Sequence, residues 1–157
     1  MHQLYPSLIN RLENQHQAIE NILAATDDNR LIVRPQPNKW NIHDNIAHLT
    51  RYQQIFIERI DKIQQTENLF FGRYVAEEDA LFENIRSLKT KDLLEKLNAD
   101  RKNIYNVIIN LSETDLIKTA THKKFGVLNI IQWTEFFLLH EAHHIYTIFQ
   151  LANDVAL

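Results

Sequence analysis

Residues 140–144 read His-Glu-Ala-His-His, inside a stretch from 128 to 152 that holds no Gly or Pro and is apolar for most of its length. On a helix of about 100° per residue, His140 and His144 lie about 40° apart and can grip one metal ion from one side. Glu141 and His143 fall about 80° off that pair's midline, on opposite flanks. Trp133, Phe136, Thr147 and Leu151 share the histidine stripe, which places the imidazoles in an apolar, core-facing wall. Such a pair is costly unless its nitrogens are hydrogen-bonded or metallated. His143 points away from the midline and reads as a supporting or surface residue.

The five residues spell H-E-x-x-H, the zinc-peptidase pattern in which two histidines bind the ion and the glutamate is general base. That site needs a third ligand, and the only carboxylate side chain downstream is Asp154. Asp154 is almost three turns along the same helix, too far for bonds of about 2 Å. Tyr146 and Thr147 stand where a longer metzincin motif needs Gly and His. A peptidase is therefore not expected.

The other source of a third ligand is upstream. His48 falls two turns into another helical stretch, with Asp44, Tyr52 and Ile55 on its stripe. A bundle that sets His48 opposite His140 and His144 makes a three-imidazole site with open positions, the pattern of catalysis rather than of structure. The supporting candidates each carry two readings. Asp44 orients His48 or only caps its helix. Tyr52 donates a proton into a pocket or is a hydrogen-bonded core residue. Glu141 is a base, an orienting group or a solvated side chain.

The elements that must position these residues are helices. Pro6 suits a first helical position, and Leu8, Leu12, Ile19, Ile22 and Leu23 predict a helix over 6–25. His16 within it reads as partly exposed. Residues 27–40 are extended by Pro35 and Pro37. Asn41 caps a second helix, with Asp44 as capping partner, running to about residue 65; His43 in its first turn reads as exposed. Residues 66–79 form a loop whose Leu69, Phe70 and Phe71 need cover: they fold back onto the core, or else form a lid over a pocket or a subunit contact. A short helix over 80–89 precedes a third long helix that Thr90 caps. Residues 112–127 are a second connection. There His122 reads as exposed, and Lys123 and Lys124 as a solvated turn. Asn129, with Gln132, caps the last helix. Trp40 and Trp133 read as core anchors.

The chain has 157 residues, two Gly, three Pro, no Cys and a net charge of −3. One domain over 1–157 is the expectation, and the scarcity of Gly and Pro favours long helices over a turn-rich β fold. No basic stripe points to nucleic acid. No run of about 18 apolar residues predicts a membrane span. The first residues lack the pattern of a signal peptide, so a cytoplasmic protein is expected. Without Cys, any thiol in the chemistry comes from outside the chain.

Taken in order, Arg34-Pro35, Pro37, Lys39 and Trp40, then His48-Leu49, then Phe125-Gly126, then His140 with His143-His144 resemble the DinB-like (YfiT-like) superfamily. The resemblance covers nearly the whole chain. It implies an all-α fold: a four-helix bundle of up-down-down-up topology, here with a short extra helix. It also implies a three-histidine site at His48, His140 and His144, a nickel or zinc ion, and a homodimer. Members include S-transferases and isomerases that use low-molecular-weight thiols, and proteins described as metal-dependent hydrolases. The family name does not imply DNA binding. One departure stands out: many relatives follow the last histidine with Arg-Gly-Gln, and here Ile145, Tyr146 and Thr147 occupy those places.

The expectation is therefore a metal-dependent enzyme in which a divalent ion activates water or a small thiol toward a small-molecule substrate. The competing expectation is a non-catalytic binding or dimerisation module whose histidines are satisfied by hydrogen bonds.

Overall fold

The computed structural model describes residues 3–155. Its first arm is split. α1 (Pro6–Asn14) gives way to a 3₁₀ turn at Gln15–Gln17 before α2 (Ala18–Leu23). The predicted helix over 6–25 is thus interrupted where Gln15 reaches inward, its amide donating to Leu138 O at 2.8 Å and to Glu141 Oε1 at 2.9 Å. The other arms are α3 (Ile42–Gln65), α5 (Thr90–Ile109) and α7 (Ile130–Ala152). Two short helices, α4 (Ala80–Arg86) and α6 (Glu113–Leu116), sit in the connections.

Cap chemistry sets the ends that matter. Asn41 with Asp44 and Asn129 with Gln132 both close reciprocal capping boxes, as their spacing predicts. Thr90 does not cap α5. Lys89 occupies that position, and Thr90 Oγ1 instead meets His43 Nδ1 at 2.8 Å. His43 Nε2 meets Arg86 O at 2.8 Å, so this half-buried histidine ties α3 to the end of α4 and, through Thr90, to the start of α5.

Pairings fix the directions. Arg11 meets Glu135 and Gln15 meets Glu141, so α1 runs parallel to α7. Asn45, His48 and Phe56 meet His144, His140 and Phe137 in turn, so α3 runs antiparallel to α7. Thr50 and Gln53 meet Leu93 O and Arg101, so α3 and α5 are parallel. The bundle is up-down-down-up.

Parallel neighbours need a long crossover, and residues 66–89 supply it. This crossover contributes one strand to a three-stranded sheet that helical periodicity did not predict, the other two coming from the connection before α7: β1 (Phe70–Phe71), β2 (Thr119–His122) and β3 (Gly126–Asn129), in the order β1-β2-β3. β1 pairs with β2 in parallel, Phe71 opposite His122, and β2 pairs with β3 antiparallel, His122 opposite Gly126. Gly126 has φ +75°, a left-handed conformation that glycine takes without strain as the chain leaves the 123–125 turn. Leu69 and Phe71 pack on the core as expected, while Phe70 is exposed. No helix among the described residues is long and apolar enough to cross a membrane.

Candidate metal centre

His48 from α3 meets His140 and His144 from α7 where the antiparallel helices face each other. The Nε2 atoms of His48 and His140 are 3.1 Å apart. One nitrogen from each of the three rings lies within 4.8 Å of the others. A tetrahedral ion with bonds of about 2.0–2.1 Å needs nitrogens about 3.3 Å apart. The His48–His140 pair lies close to that spacing, and a third nitrogen from His144 within 4.8 Å of both gives a donor set of neutral imidazoles suited to a divalent ion.

His144 Nδ1 meets Asn45 Oδ1 at 2.8 Å. Asn45 Nδ2 donates to Asn41 O at 2.8 Å, which leaves its oxygen as the acceptor. The Nδ1 proton of His144 is thereby fixed, and Nε2 remains as the ligand atom. His48 Nδ1 and His140 Nδ1 are buried with no hydrogen-bond partner. Asp44 does not orient His48. Its carboxylate accepts from Asn41 N and pairs with Arg34 at 2.8 Å. Arg34 also donates to Lys39 O at 2.9 Å, bracing the proline-rich connection that lays Trp40 beside His48, with ring centroids 5.0 Å apart.

All three imidazoles are held neutral. Burial pushes His48 down to about 3, helped by His140. Burial brings His140 to about 4, with His143 and Arg59 adding to it. Burial takes His144 to about 2, reinforced by the other histidines. Neutral imidazole is the form that ligates a metal.

The centre opens into a cavity of about 880 Å³. Trp40, Tyr52, Tyr74, Phe125 and Phe136 supply its aromatic wall, and His143 lies on its rim, exposed. Tyr52 packs against His140 with the rings tilted and their centroids 4.2 Å apart, and its oxygen accepts from Arg59 Nη1 at 3.4 Å. Burial raises its pKa against the pull of Arg59, so the phenol stays protonated and its hydrogen is free to be donated.

Glu141 lies elsewhere. It is wholly buried on the far side of α7, ion-paired with Arg101 and accepting from Gln15 and Gln53. Its carboxylate has no path to a substrate, which removes it as a catalytic base. Arg101 is equally buried and also donates to Leu12 O and Gln53 Oε1. His16 is buried against it, not partly exposed.

His122 is buried as well, contrary to its reading as an exposed loop residue. Its Nδ1 accepts from Lys124 N and Phe125 N, and its ring lines the cavity. Tyr146, which departs from the family pattern, points outward and is absent from the cavity lining.

A four-helix bundle carrying three convergent imidazoles and an aromatic cavity defines the class of this protein. The chain belongs to the DinB superfamily, whose family model matches residues 11–148. Among solved structures it is similar to YfiT from Bacillus subtilis, described as "a probable metal-dependent hydrolase with an unusual four-helix bundle topology". The likeness has a TM-score of 0.80 at 14% identity and covers 97% of this chain and 90% of that one. A search of curated proteins finds no match.

Proposed function

We propose that this protein is a metal-dependent enzyme that holds a divalent ion, nickel or zinc, at His48, His140 and His144, and turns over a small molecule in the adjoining cavity. The observation that carries this reading is the convergence of one nitrogen from each ring within 4.8 Å at the floor of a cavity of about 880 Å³. An ion bound there supplies Lewis acidity, which lowers the pKa of a water or thiol that reaches it.

The chain's own groups do the rest. Asn45 fixes the orientation of His144. The aromatic wall excludes water and seats an apolar electrophile. Tyr52, kept protonated and braced by Arg59, donates its hydrogen into the cavity. Hydrolysis and transfer of a low-molecular-weight thiol both suit this arrangement. The reading carries a cytoplasmic setting with it. It also carries a homodimer, supported by Leu139, Tyr146 and Phe149, which stand exposed on one side of α7.

The test is a metal-loaded screen that pairs small thiols, or water, with chromogenic aryl halides and esters. Turnover that requires the ion and vanishes in His48→Ala supports the proposal. Turnover that survives loss of all three histidines sinks it. Protein that folds normally but neither binds metal nor turns over substrate is the non-catalytic module instead; the 3.1 Å contact between the Nε2 atoms of His48 and His140 would then be a plain hydrogen bond.

A further inference from the structure

The cavity has two chemically distinct ends. At the floor are the three imidazoles. At the mouth are Arg73, Lys123 and Lys124, with Glu77 the one acid among the lining residues. This bias runs against a chain whose net charge is −3. The three cations form no ion pair with any described acid; the lysine of the trio nearest an aromatic, Lys124, lies over the Phe125 ring, 5.4 Å from its centroid. Elsewhere on the surface the cations are commonly paired: Arg11, Arg30, Arg34, Arg86 and Lys118 all have carboxylate partners.

The sheet accounts for the clustering. Phe71 and His122 are partners in the parallel pair β1–β2. Both strands run the same way past this point, so Arg73 and Lys124 follow their partners by the same number of residues and reach the same edge of the cavity. Lys123 N donates to Phe71 O at 3.0 Å, which locks the turn to the crossover.

His122 sits beneath these cations with a fixed tautomer. Two backbone N–H groups, from Lys124 at 3.1 Å and Phe125 at 3.2 Å, donate to its Nδ1. Nδ1 is therefore the acceptor nitrogen, and the ring proton is on Nε2. The ring is wedged between Phe125 and Trp133, with centroids 4.7 and 5.6 Å away, and cannot turn freely. Its Nε2–H has no partner among the described residues, and that nitrogen is not sealed from solvent as the orphaned nitrogens of His48 and His140 are. A fixed donor of this kind, under a rim of unpaired cations, suits an acceptor that carries negative charge.

We infer that the His122 Nε2–H, Arg73, Lys123 and Lys124 form an anion subsite that selects substrates bearing a carboxylate or phosphate group, held at the mouth while the reacting end points to the histidines. This rests on the proposed enzyme reading for the word substrate, but the subsite itself does not need the metal.

The experiment measures binding of succinate, inorganic phosphate and neutral succinamide by tryptophan fluorescence, since Trp40 lines the cavity and Trp133 touches His122. It uses the full chain as wild type, His48→Ala, His122→Asn, and the triple variant Arg73→Ala/Lys123→Ala/Lys124→Ala. Asn at 122 keeps a side-chain oxygen for the turn and withdraws the donor from the cavity. Circular dichroism confirms that each variant is folded. The expected result is anion binding that weakens with salt, is at least tenfold tighter than for succinamide, and persists within about threefold in His48→Ala. It should fall at least tenfold in the triple variant and about fivefold in His122→Asn. The arm that binds tighter, succinate or phosphate, names the group. Equal binding of succinamide, or unchanged binding in the triple variant, overturns the inference. Loss of metal in His48→Ala with anion binding intact upholds both proposals. Anion binding in a protein that never takes up metal upholds the subsite and removes the metal reading.

Discussion

His144 donates its Nδ1 proton to Asn45 Oδ1 across 2.8 Å, joining α7 to the first turn of α3. Of the three converging imidazoles it is the one with such a partner. Replacing Asn45 with Leu frees the ring to rotate and unfixes its tautomer. The expected outcome is metal affinity lowered about 10–100-fold, with helicity unchanged. Competition with a chromophoric chelator measures this. Unaltered affinity would mean that His144 is not a ligand or needs no orienting.

The Arg101–Glu141 pair predicts a stability effect without a metal effect. Both side chains are almost wholly buried. Glu141→Ala leaves a guanidinium uncompensated and should cost about 3–5 kcal/mol, read by urea unfolding. Replacing both residues with Met should cost far less, because the desolvation of both charges is relieved together. Metal content should stay at the wild-type level in both proteins. Loss of metal in the double variant would show that Glu141 supports the centre.

His16 makes the protein acid-sensitive. Burial, with Arg101 beside it, lowers its pKa from the ordinary 6.5 to about 4. Between those values the unfolded chain binds the proton and the folded chain does not. Stability is therefore full above about pH 6.5 and falls as pH drops toward about 4. The wild-type advantage over His16→Gln should shrink across this window by up to about 1.4 kcal/mol per pH unit. A difference that stays flat in thermal melts across that range would contradict a neutral buried His16.

Tyr52→Phe keeps the ring against His140 and removes the phenol proton. Once a substrate is in hand, turnover should fall about 10²-fold, with the metal retained and KM little changed. Equal turnover in the two proteins would return Tyr52 to a packing role.

The bundle was legible in the sequence because its signals are local. The capping boxes at Asn41 and Asn129 and the apolar stripes of the long helices fix the elements. The i, i+4 spacing of His140 and His144 marked one half of the site, and His48 on a core-facing stripe, together with the resemblance to the DinB-like superfamily, supplied the third residue of the three that converge. What was not legible depends on side chains meeting across elements. Arg101 falls in the stripe of Leu97, Ile104 and Ile108, and Glu141 in that of Phe137, Leu138 and Ile148. A lone charge of opposite sign on each of two apolar stripes was the available sign of a buried pair. Asn45 precedes His48 by one turn, a spacing that could have marked it as a supporting residue. The sheet left no such trace: β1 has two residues, and β2 borrows its first partner from a distant crossover. His122 is buried only because that sheet forms.

The most direct test is elemental analysis of protein purified without affinity tags or chelators, beside its His48→Ala variant, after each is offered nickel and zinc. The account predicts about one ion per chain in the wild type and none in the variant, with both folded by circular dichroism. Folded wild-type protein that takes up no divalent ion, or a variant that retains it, would contradict a metal centre at His48, His140 and His144.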